Sequence, residues 1–508
     1  MNANFKPLGL AAAVATASAG YAGVANAQEY AAATELGDLA IVPYYTVMDG
    51  YATGVNIVNT STQTQVIKFR FRRAVDSMDA LDFNVVLSPK DVYTGFLSMS
   101  GDDITFTSND NSCTAPDYTT GGNKFTMPGI YREGAETGYI EIISMGSPID
   151  ENQPIAESAK HGSDGVPLNC DDVRDNFFTN VSATGVDLTD RGVISSAVTH
   201  QFTTTSSGSV LEPSTYVASP DSLKVSYFIK SDETGVEFGD NAVHIAGFMT
   251  GPSMTGQQTG IFSGDLQGFD HPDLNGGAPL DALTGALGTP RGQYNLLRPL
   301  LAAEEVINDW SANASGDFSV DTDWVVTFPG QYVMLDLPIY LNSLIDDDII
   351  CDRLVDFPST GNTATAACDY RDIPVTARIT VYDREEQEIT IEEGELVVSP
   401  QPPILIETLE LEDEVNVIEW GAAPVLNAPK VISGLEVPQG AVFGWASLMT
   451  TPADANLALC DFVIGGTPAY QCGTSANLGT APAVGGTPVV GFVAWQRNFA
   501  ALPAANYG

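Results

Sequence analysis

Carboxylate side chains dominate the chemistry that this sequence offers, because 64 Asp and Glu residues stand against 21 Lys and Arg residues. Ca²⁺ takes six to eight oxygen ligands, which carboxylates and the carbonyl groups of turns supply. Three acidic clusters therefore predict bound calcium in a structural role, although none matches the twelve-residue calcium loop. Their members are Asp270, Asp273 and Asn275 in one turn, the pair Asp321 and Asp323, and the run Asp346, Asp347 and Asp348.

The densest acidic segment runs from Asp383 to Glu419 and contains thirteen acids and one base, Arg384. A run of this kind is ordinarily a solvated face. The alternation of acids with Ile389 and Ile391 is typical of a strand with one polar face. Cation binding is the alternative interpretation, and the sequence leaves both open.

Six cysteines form three pairs that are local in sequence: Cys113 with Cys170, Cys351 with Cys368, and Cys460 with Cys472. An even number of cysteines favours disulfides in an exported protein. Six cysteines allow 15 connectivities, among which the sequence does not choose. A metal site is the alternative, but the chain lacks the C-x2-C spacing of such sites.

A basic strand is predicted at Lys68, Arg70 and Arg72, which alternate with two phenylalanines, and Arg73 extends it. One interpretation is internal neutralisation of these cations by a neighbouring acidic strand. The other is a surface docking site for anionic groups, such as lipopolysaccharide phosphates or the acidic face of another subunit, since Arg binds such groups bidentately. A nucleic-acid partner is not expected at a formal net charge of −43.

The sequence predicts no enzyme, because it contains no G-x-S-x-G, H-E-x-x-H, Walker loop or dinucleotide-binding fingerprint. The four histidines are isolated in sequence, at His161, His200, His244 and His271. A carboxylate-pair hydrolase stays open, because the separation of the two acids in such enzymes is spatial.

Short alternating runs indicate the elements that would position these residues. Period-2 patterns at 54–59, 68–72, 83–87, 377–382 and 388–392 predict half-buried strands, and 48 glycines and 30 prolines supply turns between them. The fold class expected is mainly β, with a multi-domain, β-sandwich-like architecture. Helical spacing of apolar residues predicts one short helix near 299–311, and 489–499 is predicted to be a terminal strand.

The N-terminus predicts export. Lys6, an apolar run over 8–24 and the triplet Ala25-Asn26-Ala27 are typical of a signal peptide at 1–27, cleaved before Gln28. Losing Lys6 with this segment changes the formal net charge from −43 to −44. No later run is long and apolar enough for a membrane-spanning helix. The expected location is secreted, on the cell surface at the outer-membrane exterior.

The remaining length exceeds what one hydrophobic core usually serves. The sequence therefore predicts an N-terminal β-rich domain with long polar loops at 28–290, and a C-terminal domain with the helix and further strands at 291–508.

Several spaced strings resemble a family of poorly characterised secreted Gram-negative surface proteins. These strings are VPYYTV at 42–47, TGVNIVNT at 53–60, KFRFR at 68–72, LDFNVVLSP at 81–89, TDWVVTFP at 322–329, YDREE at 382–386 and ANYG at 505–508. The family has no catalytic residues to transfer. In size, acidity, signal peptide and β-rich pattern the chain is also similar to marine gammaproteobacterial surface-layer proteins, which implies self-assembly into a lattice on the outer membrane and calcium dependence.

The function expected is thus that of a secreted structural surface protein that assembles with itself, supported by divalent cations. The alternatives are an extracellular glycan-binding or adhesion module and a polymer hydrolase. An outer-membrane β-barrel is a weaker alternative, because the strands lack a regular ten-residue ladder and the chain does not end in an aromatic residue.

Overall fold

The computed structural model describes residues between 35 and 499, and the longest stretches outside the described residues are 179–215, 253–271, 275–296, 337–353, 385–406 and 473–486. The predicted signal peptide also lies outside them. Strands account for 58% of the described residues and helices for 8%. The prediction of a mainly β fold is confirmed.

The strands described before residue 250 are β1 (Leu39–Thr46), β2 (Tyr51–Asn59), β3 (Gln65–Arg73), β4 (Asp79–Leu87), β5 (Val92–Ser100), β6 (Asp103–Thr107), β7 (Cys113–Ala115), β8 (Lys124–Thr126), β9 (Thr137–Pro148), β10 (Tyr216–Val217), β11 (Leu223–Ser231), β12 (Glu237–Asn241) and β13 (Val243–Ile245). They form two antiparallel sheets. The first sheet has the order β13-β1-β9-β3-β4-β7, with β10 also paired to β9, and the second has the order β12-β11-β2-β5-β6-β8.

These two sheets pack face to face around an aromatic core. Phe69 of the first sheet lies 5.2 Å from Phe106 of the second, and Phe83 lies 4.4 Å from Phe125, measured between ring centroids. Alternation along each strand sends every second side chain into this core. The result is the β-sandwich that the period-2 pattern predicts.

Two short helices, α1 (Pro154–Ala159) and α2 (Cys170–Phe178), cover part of the opposite face of the first sheet. Ile155 and Val173 of these helices join Val66, Val86 and Met145 of the sheet in a second buried cluster. No pattern in the sequence predicts either helix.

The strands described after residue 300 are β14 (Ala302–Ala303), β15 (Glu305–Asn313), β16 (Phe318–Thr327), β17 (Met334–Asp336), β18 (Leu354–Phe357), β19 (Thr365–Cys368), β20 (Val375–Asp383), β21 (Glu407–Leu411), β22 (Val415–Glu419), β23 (Val431–Ile432), β24 (Phe443–Thr450), β25 (Leu457–Val463), β26 (Ala469–Cys472), β27 (Thr487–Pro488) and β28 (Val490–Phe499). The third sheet has the order β21-β20-β24-β15-β16-β22-β23, and β28 also pairs with β16. Smaller sheets join β14 to β27, β17 to β25 and β26, and β18 to β19. Strand β28 confirms the predicted terminal strand.

Tryptophans fill the core of the third sheet. Trp420 stacks on Trp310 at 5.5 Å and contacts Trp324 at 5.2 Å. Gly444 lies opposite Trp310, where an added Cβ would come within 1.8 Å of the Tyr382 carbonyl oxygen and 2.9 Å of the Trp310 ring. The close approach of three strands therefore requires glycine at this position.

The predicted helix over 299–311 is wrong for most of its length. Helical backbone ends at Leu301, and Glu305–Asn313 is a strand paired with β24. Val306 points towards the core, whereas its neighbour Ile307 is exposed. Pairing with a strand more than 130 residues later in the chain outweighs the local helical spacing.

The boundary predicted between residues 290 and 291 falls outside the described residues and stays a prediction. The described strands on its two sides nevertheless share one apolar cluster, which contains Leu39 and Val55 as well as Val325 and Val490. The Thr327 hydroxyl also donates a hydrogen bond to the Pro43 carbonyl oxygen over 2.7 Å. The two halves therefore pack against each other through this shared cluster.

Candidate functional site

Three of the four cations predicted to dock anionic groups are buried. Lys68, Arg70 and Arg72 are 1%, 1% and 2% exposed, so the prediction that these three form a surface docking site is wrong. Arg73, at the end of the strand, is half-buried. The physical reason is that β3 lies inside the first sheet, between β4 and β9, and both of its faces are covered.

Internal neutralisation, the other interpretation of this strand, is what the contacts show. Glu141 on β9 receives Arg72 Nε at 2.9 Å and lies 3.5 Å from Arg70 Nη1, while Asp82 on β4 lies 3.5 Å from Lys68 Nζ. Buried charges of this kind are costly unless they are paired and hydrogen-bonded. These buried ion pairs therefore hold β3 in place between β4 and β9.

Tyr139 completes this buried cluster. Its hydroxyl lies 3.3 Å from Glu141 Oε1 and accepts a hydrogen bond from the Ser77 hydroxyl. Burial, reinforced by the charge of Glu141, raises the pKa of Tyr139 well above its usual value. The hydroxyl stays protonated and donates to the carboxylate, which is a stabilising role.

Two of the eight predicted calcium ligands lie in the described part of the chain. Asp321 and Asp323 lie two residues apart on β16, and the register places Asp323 opposite Glu419 of β22. The Asp323 side chain is fully buried, and its Oδ2 accepts the N–H groups of Val425 and Leu426, each at 2.8 Å. Burial, with smaller contributions from Glu419 and Asp321, raises the pKa of Asp323 to about 7.

Asp323 is therefore already committed to backbone donors. Across the described residues, no group of three or more His, Cys, Asp or Glu side chains is arranged to hold a metal ion. The other predicted ligands, Asp270, Asp273, Asn275, Asp346, Asp347 and Asp348, lie outside the described residues. Calcium binding stays a prediction.

Cys113 and Cys170 form a disulfide that ties β7 to the start of α2. The backbone register places Cys460 directly opposite Cys472 on β25 and β26, which is the arrangement that a disulfide between these two residues needs. Cys351 lies outside the described residues, so its pairing with Cys368 stays a prediction.

Neither of the two described histidines lies in a serine–histidine–aspartate triad. Burial lowers the pKa of His244 to about 4, and its Nε2 accepts the Val225 N–H at 2.8 Å, so the ring is neutral. His161 Nδ1 lies 3.4 Å from Ser88 Oγ and 3.5 Å from Asp91 Oδ2. A catalytic triad needs serine and aspartate on different ring nitrogens, whereas here both face the same one. His200 and His271 lie outside the described residues.

A cavity of about 210 Å³ lies where the two halves meet. Apolar side chains, including Val415 and Val417, form much of its lining, together with Tyr44. Lys430 lies at the same cavity and pairs with Asp413 at 3.5 Å. The volume of the cavity is below the roughly 300 to 1,000 Å³ that is typical of small-molecule sites.

The most distinctive exposed feature is the outer face of the third sheet, which the sequence analysis missed. We call it the β24 face and define it by Arg378, Tyr382, Trp445, Met449 and Ile307. Tyr382 stacks on Trp445 with ring centroids 4.0 Å apart and planes 11° from parallel. Ile307 and Met449 are 56% and 49% exposed. The signal that could have found it is the period-2 series Phe443, Trp445, Ser447, Met449.

Charged side chains border the β24 face on its two sides. Arg378 and Arg384 are exposed on or beside β20, and Arg384 lies 5.5 Å from the centre of the Phe443 ring. Glu305 and Asp309 are exposed on β15. The face thus has an apolar centre, cations along one side and acids along the other.

No family model, no curated protein and no solved structure matches this chain. Among the described helices, none is long and apolar enough to cross a membrane.

Proposed function

We propose that this protein is a secreted structural protein of the Gram-negative cell surface that assembles with itself into a surface layer supported by divalent cations. The observation that carries the proposal is the placement of charge. Lys68, Arg70 and Arg72 are withdrawn into the first sheet, while the chain as a whole carries a formal net charge of −43. Copies with such an exterior repel one another overall, and cations that lie between them reduce this repulsion.

Other features agree with this role. The Cys113–Cys170 disulfide suits an oxidising compartment outside the cytoplasm. The core shared by the two halves gives a rigid unit of the kind that an ordered array requires. Lipopolysaccharide is a further proposed partner. Of the four cations that the sequence predicts to bind its phosphates, Lys68, Arg70 and Arg72 are buried and Arg73 is half-buried.

Negative-stain electron microscopy of the purified protein tests the proposal. We expect ordered sheets with millimolar Ca²⁺ and dispersed particles with excess chelator. Sodium chloride at the same ionic strength is the control, because it screens charge without bridging carboxylates. Dispersed particles under all three conditions would contradict the proposal.

A second candidate, binding of extracellular glycans, is favoured by the stacked pair Tyr382 and Trp445 on an exposed sheet face. Aromatic rings flanked by polar groups can stack on the apolar faces of sugars. Retardation of the protein in gels that contain a neutral polysaccharide, with loss of retardation in Trp445→Ala, would support this function. Unchanged mobility across a panel of polysaccharides would argue against it.

A further inference from the structure

We propose that the β24 face is the contact surface for a second copy of this chain, and that the two copies are related by a two-fold axis that runs along β24. This goes beyond the proposed assembly, because the contact uses apolar side chains and ion pairs and does not require Ca²⁺.

The exposed side chains favour a protein partner over a sugar. Ile307 and Met449 are about half exposed, whereas Tyr382 and Trp445 are less accessible and present one ring face to each other. Large aliphatic side chains held in water at neighbouring positions of a sheet are typical of protein interfaces. The partly covered aromatic pair leaves less ring surface for a sugar.

The register of the strands sets the charges in rows across the face. Met449 on β24 has Arg378 as its neighbour on β20 and Glu305 as its neighbour on β15. Four residues before Met449 on β24, Trp445 lies between Tyr382 on β20 and Asp309 on β15. Because adjacent strands are about 4.8 Å apart, the backbones of Arg378 and Glu305 are separated by roughly 10 Å.

Rotation by 180° about an axis along β24 exchanges the two sides of the face and keeps each row in place. Arg378 of one copy then lies over Glu305 of the other, twice, and Met449 faces its own counterpart. Facing sheets pack about 10 Å apart, a gap in which long side chains from both surfaces meet. The face is thus complementary to itself, as a two-fold interface must be.

Arg378 and Glu305 are both exposed and can form an ion pair with a second copy. Arg378 forms no ion pair with any residue that the structure describes. Glu305 is exposed, and its Oε1 accepts a hydrogen bond from the Ser447 hydroxyl, which leaves the second oxygen to receive a guanidinium. A pair formed across the two copies would satisfy both residues.

Sedimentation velocity of the purified protein in chelator, over a range of concentrations, tests the proposal. We expect a species of twice the chain mass. Met449→Glu places two acids against each other at the axis and should leave monomers. Arg378→Glu and Glu305→Arg should each do the same, and the double variant with both substitutions should restore the dimer.

Met99→Glu is the matched control, because Met99 is 43% exposed and lies on the second sheet, whereas the β24 face belongs to the third. It should remain dimeric, with the same circular dichroism spectrum as the other variants. The proposal is overturned if the unmodified protein is monomeric throughout, if Met449→Glu remains dimeric, or if Met99→Glu dissociates as well. A monomer retarded by neutral polysaccharide through Trp445 would overturn it in favour of glycan binding. Failure of calcium to produce sheets would contradict the proposed function alone, since the dimer is measured without calcium.

Discussion

The hydroxyl of Tyr51 donates a hydrogen bond to the carbonyl oxygen of Val425 over 2.6 Å, which joins residues 374 positions apart in the chain. Tyr51 begins β2 in the second sheet. The N–H of Val425 is held at the same time by Asp323 of the third sheet. A short segment is therefore fixed from both halves of the molecule.

Replacement of Tyr51 by phenylalanine should loosen this link. The Val425 carbonyl loses a buried partner, which costs about 1 to 3 kcal/mol of unfolding free energy. We expect faster hydrogen exchange at the Val425 and Leu426 amides. Tyr45→Phe is the control, since its hydroxyl bonds to Ala135 within the N-terminal half over 3.1 Å. It should destabilise the protein without changing exchange at Val425, and equal exchange in the two variants would contradict the link.

Removing the charge of Glu141 should be among the most damaging single changes. Glu141→Gln leaves Arg70 and Arg72 buried without their carboxylate, which costs about 3 to 5 kcal/mol for a broken buried pair. Urea unfolding followed by circular dichroism measures the loss. Asp103→Asn, which breaks the partly exposed pair with Arg132, should cost less than about 1 kcal/mol. Similar losses of unfolding free energy in the two variants would show that the buried Glu141 cluster stabilises the fold no more than an exposed ion pair does.

Asp323 should make stability depend on pH. Its pKa is raised to about 7 in the folded protein, against about 3.9 in an unfolded chain. Between these values the folded state keeps a proton that the unfolded state has released. This contribution is therefore fully present below about pH 4 and is lost as the pH rises towards 7.

Asp323→Asn should remove this dependence. Oδ2 accepts both backbone N–H groups, whereas Oδ1 has no hydrogen-bond partner, so an amide can keep the two bonds and put its NH₂ where the proton sits. Between pH 4 and pH 8, the unfolding free energy of the variant should rise relative to that of the unmodified protein by an amount on the order of a few kcal/mol. Parallel curves of unfolding free energy against pH would contradict the assignment.

Asp38→Asn should behave differently although the pKa of Asp38 is also raised to about 7, chiefly by burial. Here Oδ1 accepts the Phe248 N–H at 2.9 Å and Oδ2 accepts the Met249 N–H at 2.7 Å. An amide would set its own N–H against one of these donors and cost about 1 to 3 kcal/mol. Thermal unfolding of the two asparagine variants at pH 8 compares them directly, and equal melting temperatures would contradict this account.

Reduction of the disulfide should lower stability without abolishing the fold. Cys113 and Cys170 are 57 positions apart, and closing a loop of that length contributes about 4 kcal/mol in the chain-entropy description. The double variant Cys113→Ser with Cys170→Ser should show a lower melting temperature, which reductant does not change further at this bond. Alkylation of Cys113 in the denatured, unreduced protein would contradict the pairing.

Local patterns in the sequence predict which residues share a face, but not what covers that face. Alternation correctly separates Arg70 and Arg72 from Phe69, yet Glu141, which neutralises the arginines, lies about 70 residues further on and carries no local signal. The acidic pair Asp321 and Asp323 predicts a calcium site, but no local pattern shows that Asp323 binds the N–H groups of Val425 and Leu426, about 100 residues distant.

The same limit explains the wrong helix. Spacing around Ile307 fits a helix as well as a strand, and only pairing with β24 decides between them. The β24 face was not predicted for a related reason, since its residues come from three separate strands. Its chemistry becomes visible only when the register brings Arg378, Met449 and Glu305 into one row.

The tryptophan-filled core of the third sheet also confines the tryptophan fluorescence of the molecule to its C-terminal half. All five tryptophans of the chain occur from Trp310 onward, so intrinsic tryptophan emission reports on the third sheet and is silent about the sandwich formed by the first two. Far-ultraviolet circular dichroism reports on all the sheets. The two signals together can therefore reveal whether one half melts before the other, without any added label.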